Sequence, residues 1–454
     1  MARTKLKTTV IASAGILLGV CIVILAMMLA NGFFSRDEPK LPVGGVTPVI
    51  SLGETHGLIL AFDGSLWSWG NDFVGWPVLG LGNVHSQTRL CRIGHDTNWV
   101  GVSAACEHNL ALKSDGTIWA WGENTRAELG DGTGALMQNR PVPSIPGTDW
   151  KQVAAGSYSS LALKKDGTLW AWGMNWAGEL GVGFTNRSVT NAMQVGTATN
   201  WIKVWAGGLE TVAMQSDGSL WYWGENPNPA FAQGAGQIVA PMRISPDSNW
   251  TDVGIGTEGT VFAIKSDGTL WAWGRQAHVY TGVTNRNLDA APTRVGTDSD
   301  WRSISTCGLW WCQGLTRKDG SRWLMDASDG KPNGPRSPYK PVRFRRLEFQ
   351  KDCVAFIAGA AHAAAPGVHA PIGVALTREG EVWTWGLVLG EPPQSPFQAL
   401  AQNIADHFHF NVQLGFRQPS IRSMPWQLSH LQPKEPAAPS SSSPRNDQKS
   451  GTNR

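Results

Sequence analysis

Seven near-copies of one tryptophan-rich hairpin, recurring about every 51 residues, predict an all-β chain. The expected architecture is a seven-bladed β-propeller of four-stranded antiparallel blades, preceded by one N-terminal transmembrane helix. Three observations predict it. The first is the hairpin, clearest at Leu161–Gly173 (LALKKDGTLWAWG), where Asp166-Gly167 separates two apolar runs. Asp-Gly between extended segments is a strong turn signal, because glycine tolerates the positive φ that a tight turn needs. Trp170 and Trp172 lie two apart and share one face of a strand, with Ala171 opposite. One such hairpin is too small to be stable and must stack on something. The second observation is repetition. The turn glycines Gly64, Gly116, Gly167, Gly218, Gly268, Gly320 and Gly380 are spaced 52, 51, 51, 50, 52 and 60 apart, and Trp99, Trp150, Trp201, Trp250 and Trp301 keep step. The third is composition: charged residues are 16% of the chain, against roughly 25% for an average protein. That suits turns and strands better than charged helices.

In chain order, residues 1–8 carry Arg3, Lys5 and Lys7 with no acid. Residues 9–30 hold no charge, and as a helix they would span about 33 Å, enough to cross a bilayer core. An uncleaved anchor is expected, with the N-terminus in the cytoplasm and the rest outside it. A periplasmic or extracellular single-pass protein of bacterial source follows. Residues 31–46 read as a linker and 47–416 as the propeller. Residues 417–454, rich in Pro and Ser, read as a disordered tail. In the third unit the strands fall near 152–155, 160–163, 169–172 and 192–195. Residues 387–416 are expected to complete the first blade, so that both chain ends share it.

Several chemistries are excluded. A formal charge of +3 over 454 residues gives no bulk electrostatic case for nucleic acid. The six cysteines form no C-x-x-C pair, so neither a zinc site nor dithiol redox chemistry is expected. Cys307 and Cys312, flanking GLWW, are expected to bridge in an oxidising compartment, with Cys91 and Cys106 as a second pair. The position eight before each turn glycine holds His56, His108, Ser159, Glu210, Thr260, Cys312 and Ile372. No catalytic or metal-binding slot tolerates that range. A polar group satisfying nearby backbone is expected there. The aspartates Asp63, Asp115, Asp166, Asp217, Asp267 and Asp319 recur at one offset and read as turn residues. No catalytic residue, metal or cofactor is expected.

The repeated pattern W-x-x-V-x-x-G…A-L-x-x-D-G-x-L-W-x-W-G-x-N-x-x-G-x-L-G resembles the regulator of chromosome condensation repeat. The best copies are residues 99–132 and 150–183, and the resemblance covers about 360 residues. It implies a seven-bladed propeller and a protein-binding role through loops on a rigid ring. Exchange of guanine nucleotide on a small GTPase is the first alternative that it implies. A carbohydrate-binding propeller, reading exposed aromatics as sugar platforms, is the second. Units diverge just after W-x-W-G, where the third residue is Phe73, Thr125, Trp176, Pro227 and Ala277. With Trp76 and Tyr280 these are expected to form an arc on one rim that binds an unidentified protein partner. Asn186-Arg187-Ser188 and Asn249-Trp250-Thr251 match the N-glycosylation pattern.

Overall fold

The computed structural model describes residues 40–72, 75–226, 236–256, 259–275, 277–282, 291–305, 312–326, 342–347, 352–362, 369–385 and 426–427. The chain divides into Met1–Lys40 and Leu41–Arg454. All described residues but Lys40 belong to the second unit, so the expected anchor at 9–30 lies outside them. Among the described residues no helix is long and apolar enough to cross a membrane.

The second unit holds seven four-stranded antiparallel sheets, each made of four consecutive strands in sequence order. Blade one is β1 (Val49–Leu52), β2 (His56–Leu60), β3 (Leu66–Asn71) and β4 (Ser86–Arg92). Blade two is β5 (Trp99–Ala104), β6 (His108–Lys113), β7 (Ile118–Glu123) and β8 (Met137–Pro143). Blade three is β9 (Trp150–Ala155), β10 (Ser159–Lys164), β11 (Leu169–Asn175) and β12 (Asn186–Gln194). Blade four is β13 (Trp201–Ala206), β14 (Glu210–Gln215), β15 (Leu220–Gly224) and β16 (Ile238–Arg243). Blade five is β17 (Trp250–Ile255), β18 (Val261–Lys265), β19 (Leu270–Trp273) and β20 (Thr293–Arg294), with the short helix α1 (Ala277–Thr281) before its last strand. Blade six is β21 (Trp301–Ser305), β22 (Cys312–Arg317), β23 (Arg322–Asp326) and β24 (Arg343–Arg346). Blade seven is β25 (Cys353–His362), β26 (His369–Thr377), β27 (Val382–Trp385) and β28 (Trp426–Gln427).

Two expectations about the chain ends are corrected. Blade one takes its fourth strand from its own segment, and blade seven takes β28 from the stretch read as tail. No blade is shared. The ring is closed instead by packing, for β1 lies beside β25. Ile50, Leu52, Ile357, Val374 and Leu376 form one buried cluster there. Elsewhere each blade's opening tryptophan donates its N–H to the preceding turn glycine, as Trp99 does to Gly64 O (3.2 Å) and Trp201 to Gly167 O (3.1 Å). At the seam Leu41 N–H takes that part toward Gly380 O (2.9 Å). Leu41, within the stretch read as linker, is buried.

The repeated hairpin has a three-residue loop. Leu163 pairs with Leu169 and Lys164 N–H donates to Thr168 O, while Gly167 N–H returns to Lys164 O with Gly167 at φ +83. This is a turn closed by a left-handed glycine, which a side chain would strain. Asp166 Oδ1 accepts both the backbone N–H (2.9 Å) and the hydroxyl (2.7 Å) of Thr168, whose oxygen accepts Trp170 Nε1–H (3.0 Å). Blades one, two, four and five repeat this Asp–hydroxyl–Trp relay through Ser65, Thr117, Ser219 and Thr269. The aspartates are turn residues, as read.

Between blades the second tryptophan of W-x-W does the joining. Trp121, Trp172 and Trp223 are fully buried and donate Nε1–H to the backbone oxygens of Val78, Glu128 and Glu179 in the preceding blade. Those oxygens also accept Asn109 Nδ2–H, Ser160 Oγ–H and Thr211 Oγ1–H. The last glycine of the N-x-x-G-x-L-G segment makes room for this ring. A Cβ on Gly130 (φ +60) would meet Trp172 Nε1 and Ile145 Cγ2 at 2.8 Å. Gly130→Ala is therefore expected to cost about 2–3 kcal/mol from left-handed strain plus crowding, read by urea unfolding.

The opening tryptophans pack edge-on against the first tryptophan of each pair, Trp150 on Trp170 at 6.4 Å and Trp99 on Trp119 at 5.9 Å. A cation caps the pairs of blades two, three, five and six: Lys113, Lys164, Lys265 and Arg317. Each also meets an aspartate, Lys113 reaching Asp96 at 2.7 Å.

Candidate interaction face

Strand direction alternates within a blade, so the connection from first to second strand and that from third to fourth emerge at one end. The Asp-Gly turns lie at the other. The first end carries the loops that vary between units. On it, blades two and three bring together groups that the repeat does not require.

Trp176, directly after Asn175, is 53% exposed. Arg126, in the corresponding loop of blade two, places its guanidinium 4.6 Å from the Tyr158 ring centroid and 5.6 Å from that of Trp176. Two buried carboxylates hold it. Arg126 Nη1 lies 3.2 Å from Glu123 Oε1 and 3.8 Å from Glu128 Oε1, and its own N–H donates to Glu128 Oε2 (2.8 Å). Burial pushes the Glu128 carboxyl up to about 7, with the Glu123 charge adding to the rise and Arg126 opposing it. Burial likewise raises the Tyr158 hydroxyl. Thr125 donates its hydroxyl to Glu123 Oε1. Leu136 and Phe184 are exposed in the same loops of blades two and three, and Met137 is exposed at the start of β8.

The loop stores strain. Ala127 sits at φ +66, whereas blade three places Gly178 (φ +81) at the equivalent position. A left-handed alanine costs on the order of 1 kcal/mol. Ala127→Gly is expected to raise stability by about 0.5–1 kcal/mol in urea unfolding while leaving Arg126 seated.

The expected arc survives only in part. Trp176 and Thr125 are exposed, and Trp76 is half-buried. Phe73 and Pro227 lie outside the described residues. Ala277 and Tyr280 are corrected: both are buried on α1, and Tyr280 packs edge-on against Phe262 at 4.7 Å. The helix replaces the expected loop and turns the tyrosine into core, where it offers no contact area. Arg126 and Tyr158 were not read as site residues. Their signal was available, since Arg126 is the one basic residue between Gly122 and Gly134, and tyrosine occurs only four times in the chain.

The slot before the turn glycines is buried wherever its side chain is described. Glu210 behaves as expected, its oxygens accepting N–H from Gly208 (3.3 Å) and Leu209 (3.0 Å). The histidines instead cross to the next blade. His56 Nε2 meets Asn109 Oδ1 (2.7 Å) and His108 Nε2 meets Ser160 Oγ (2.9 Å). Because Ser160 spends its proton on Glu128 O, His108 must donate from Nε2. Asn109 spends its amide on Val78 O, which makes His56 a donor by the same reasoning.

Of the expected disulfides, Cys307 lies outside the described residues, and Cys312 opens β22. The pairing of Cys91 with Cys106 is corrected. Neither is in a disulfide: Cys91 is buried on β4, and Cys106 lies in the turn after β5 beside Ser157.

Sheet order and repeat spacing define a seven-bladed β-propeller. Two stretches, residues 115–163 and 150–177, match the family model for the regulator of chromosome condensation (RCC1) repeat. Among characterised proteins the chain is similar to the probable E3 ubiquitin-protein ligase HERC6 of Homo sapiens, 30% identical over 190 residues. That match covers 40% of this chain and 18% of HERC6. The mitochondrial RCC1 domain-containing protein RUG3 of Arabidopsis thaliana is 30% identical over 188 residues, 38% of this chain and 41% of RUG3. The ultraviolet-B receptor UVR8 of Arabidopsis thaliana is 30% identical over 220 residues, 46% of this chain and 49% of UVR8. The matches thus span less than half of each relative's length. These relatives are eukaryotic. Among solved structures, human WBSCR16 superposes with a TM-score of 0.55 at 17% identity, over 68% of this chain and 84% of that one. Prp20p of Saccharomyces cerevisiae gives 0.56 at 17% identity, over 79% and 85%. At that identity the likeness is one of fold.

Proposed function

We propose that this chain is a non-catalytic protein-binding module that engages its partner through the loops of blades two and three. The observation that carries the reading is the exposed Trp176 beside Arg126 and Tyr158. Binding energy at protein interfaces concentrates in Trp, Tyr and Arg seated among well-packed neighbours. Here Glu123 and Glu128 pre-organise the arginine, so little side-chain entropy remains to be lost on docking. The match to HERC6 covers only 18% of that longer ligase chain, as suits a module that supplies recognition. In this reading residues 9–30 anchor the module in a membrane, with the propeller outside the cytoplasm.

The test uses a photo-crosslinking residue placed at Phe184 on this face and at Thr117 on the opposite one, in intact cells. Crosslinks to one protein species from position 184 alone support the reading. The double variant Arg126→Ala, Trp176→Ala should weaken that complex at least 100-fold, as expected when two central contacts are removed. Equal crosslinking from both faces, or an unchanged double variant, sinks it. Alkaline carbonate extraction reads the anchor separately: release of the protein into the soluble fraction removes it from the proposal.

A further inference from the structure

The loop from β3 to β4 departs from its counterparts at the residue that closes it. Two positions past the W-x-W-G glycine, blades two and three carry Asn124 and Asn175. Each closes its loop with both halves of the amide. Oδ1 accepts the N–H of Leu129 (3.0 Å) or Leu180 (3.2 Å). Nδ2–H donates across the loop to Ala135 O (2.8 Å) or Phe184 O (2.7 Å). Blade one has Asp72 at this position. Its Oδ1 still accepts the matching Leu79 N–H (3.4 Å), but an ionised carboxylate has no donor to offer. Instead its Oδ2 accepts His85 Nδ1–H (2.7 Å) from the far end of the loop.

The two partners sit in unlike surroundings. The Asp72 side chain is 4% exposed and that of His85 71%. Among the described residues His85 is the cation that pairs with Asp72. Burial raises the Asp72 carboxyl, while the bond and charge of His85 and the backbone N–H groups of Leu79 and Val78 oppose the rise. From blade two the charged neighbour of the loop is Arg140, whose Nη2 would lie 2.8 Å from a Cβ on Gly82. The loop rests on β8, where Gly82 N–H donates to Asn139 O (2.9 Å) and Asn139 Nδ2–H to Asn83 Oδ1 (3.1 Å). Asn139 is two residues past the exposed Met137 of the interaction face.

We propose that Asp72 and His85 form a proton-operated clamp on the blade-one loop, closed while His85 carries its proton and slack once the proton is lost. Histidine is the side chain whose charge ordinarily changes between pH 5 and 8. A neutral imidazole keeps its Nδ1–H, but hydrogen bonds between charged groups are roughly twice as strong as neutral ones. Deprotonation also leaves the buried carboxylate without a counter-charge. Both titrations act in the same sense. Asp72, raised by burial, gives the closed loop a contribution that is intact below pH 3.8 and declines as pH rises. His85 contributes while charged and ceases to as the solution turns alkaline. The clamp is therefore tight in acid and slack in base. The amides of blades two and three need no proton, so their loops stay closed throughout. This inference stands apart from the identity of any partner.

The experiment is amide hydrogen exchange on the full chain at pH 5.5 and 8.0, corrected for the intrinsic rate at each pH and resolved to single residues by electron-transfer fragmentation. Protection of Leu79 and Gly82 is expected to fall about fivefold from the lower pH to the higher, the scale of one partly exposed ion pair. Leu129 and Leu180, each held by an asparagine, should keep theirs. Asp72→Asn restores the residue of the other blades and should keep full protection at both pH values. His85→Leu places there the residue that blade two has at the matching position, Leu136, and should be weakly protected at both. A parent whose protection does not change with pH overturns the proposal. So does an equal pH dependence in Asp72→Asn, a His85→Leu chain as protected as the parent at pH 5.5, or an equal fall at Leu129 and Leu180.

Discussion

Trp172→Ala is expected to lower the free energy of unfolding by about 3–5 kcal/mol, the range for deleting a fully buried aromatic. Trp172 has no solvent exposure and lies among Leu129, Ile145, Leu110 and Ala162, side chains drawn from blades two and three. Its loss therefore opens a void between blades. The hydrogen bond contributes less, because Glu128 O keeps Ser160 Oγ at 2.7 Å when the indole is gone. Trp172→Phe separates the two effects, removing the donor and part of the volume, and should cost about half as much. The chain contains its own milder variant: at the equivalent place in blade six Met325 is fully buried, a flexible side chain filling an irregular gap. Trp172→Met should therefore be the best tolerated of the three. Urea unfolding monitored by far-UV circular dichroism checks the order. A loss below about 1 kcal/mol for Trp172→Ala would mean that neighbouring blades do not depend on one another, against the cooperativity expected of stacked repeats.

The fold was legible because each repeat carries its reasons locally. Asp-Gly marks the turn, alternation marks the strands, and the period marks the blade. What the pattern did not yield was the closure. Leu41 does the work of an opening tryptophan without being one, and a single backbone hydrogen bond to Gly380 leaves no side-chain signature. β28 lay beyond the last recognisable motif for a similar reason. It is two residues long, and only its pairing with Trp383 and Thr384 identifies it.

The site was legible at Trp176 and illegible around it. An exposed aromatic at a divergent position can be picked out by aligning the units. Whether its neighbours are loop or core depends on the conformation of the next few residues, and in blade five those residues became α1 and buried Tyr280. Arg126 escaped because its importance lies in tertiary contacts with Tyr158 and Trp176 across a blade boundary.

Acid titration of stability should expose a balance between two pairs of buried groups. Burial depresses His56 from 6.5 to about 4 and His108 from 6.5 to about 3. It raises Glu128 and Glu210 from 4.5 to about 7. For the histidines the unfolded chain binds more protons, so their contribution is intact above pH 6.5 and is lost as pH falls toward 4 and 3. For the glutamates the folded chain binds more protons. Their contribution is intact below pH 4.5 and is lost as pH rises toward 7. Between pH 4.5 and 6.5 the two pairs oppose each other, each group changing stability by about 1.4 kcal/mol per pH unit. Glu210→Gln removes one glutamate, so in this window its stability should fall relative to the parent by about 1.4 kcal/mol for each unit of acidification. His108→Gln keeps a donor for Ser160 and removes one histidine, so its difference from the parent should run the other way with the same slope. Urea unfolding at pH 4.5, 5.5, 6.5 and 7.5 reads both slopes. Because they are differences from the parent, titration elsewhere in the chain cancels. Parallel profiles for all three proteins would show that these groups titrate alike in the folded and unfolded states, and opposite tilts would place both pairs in the dry interior of the ring.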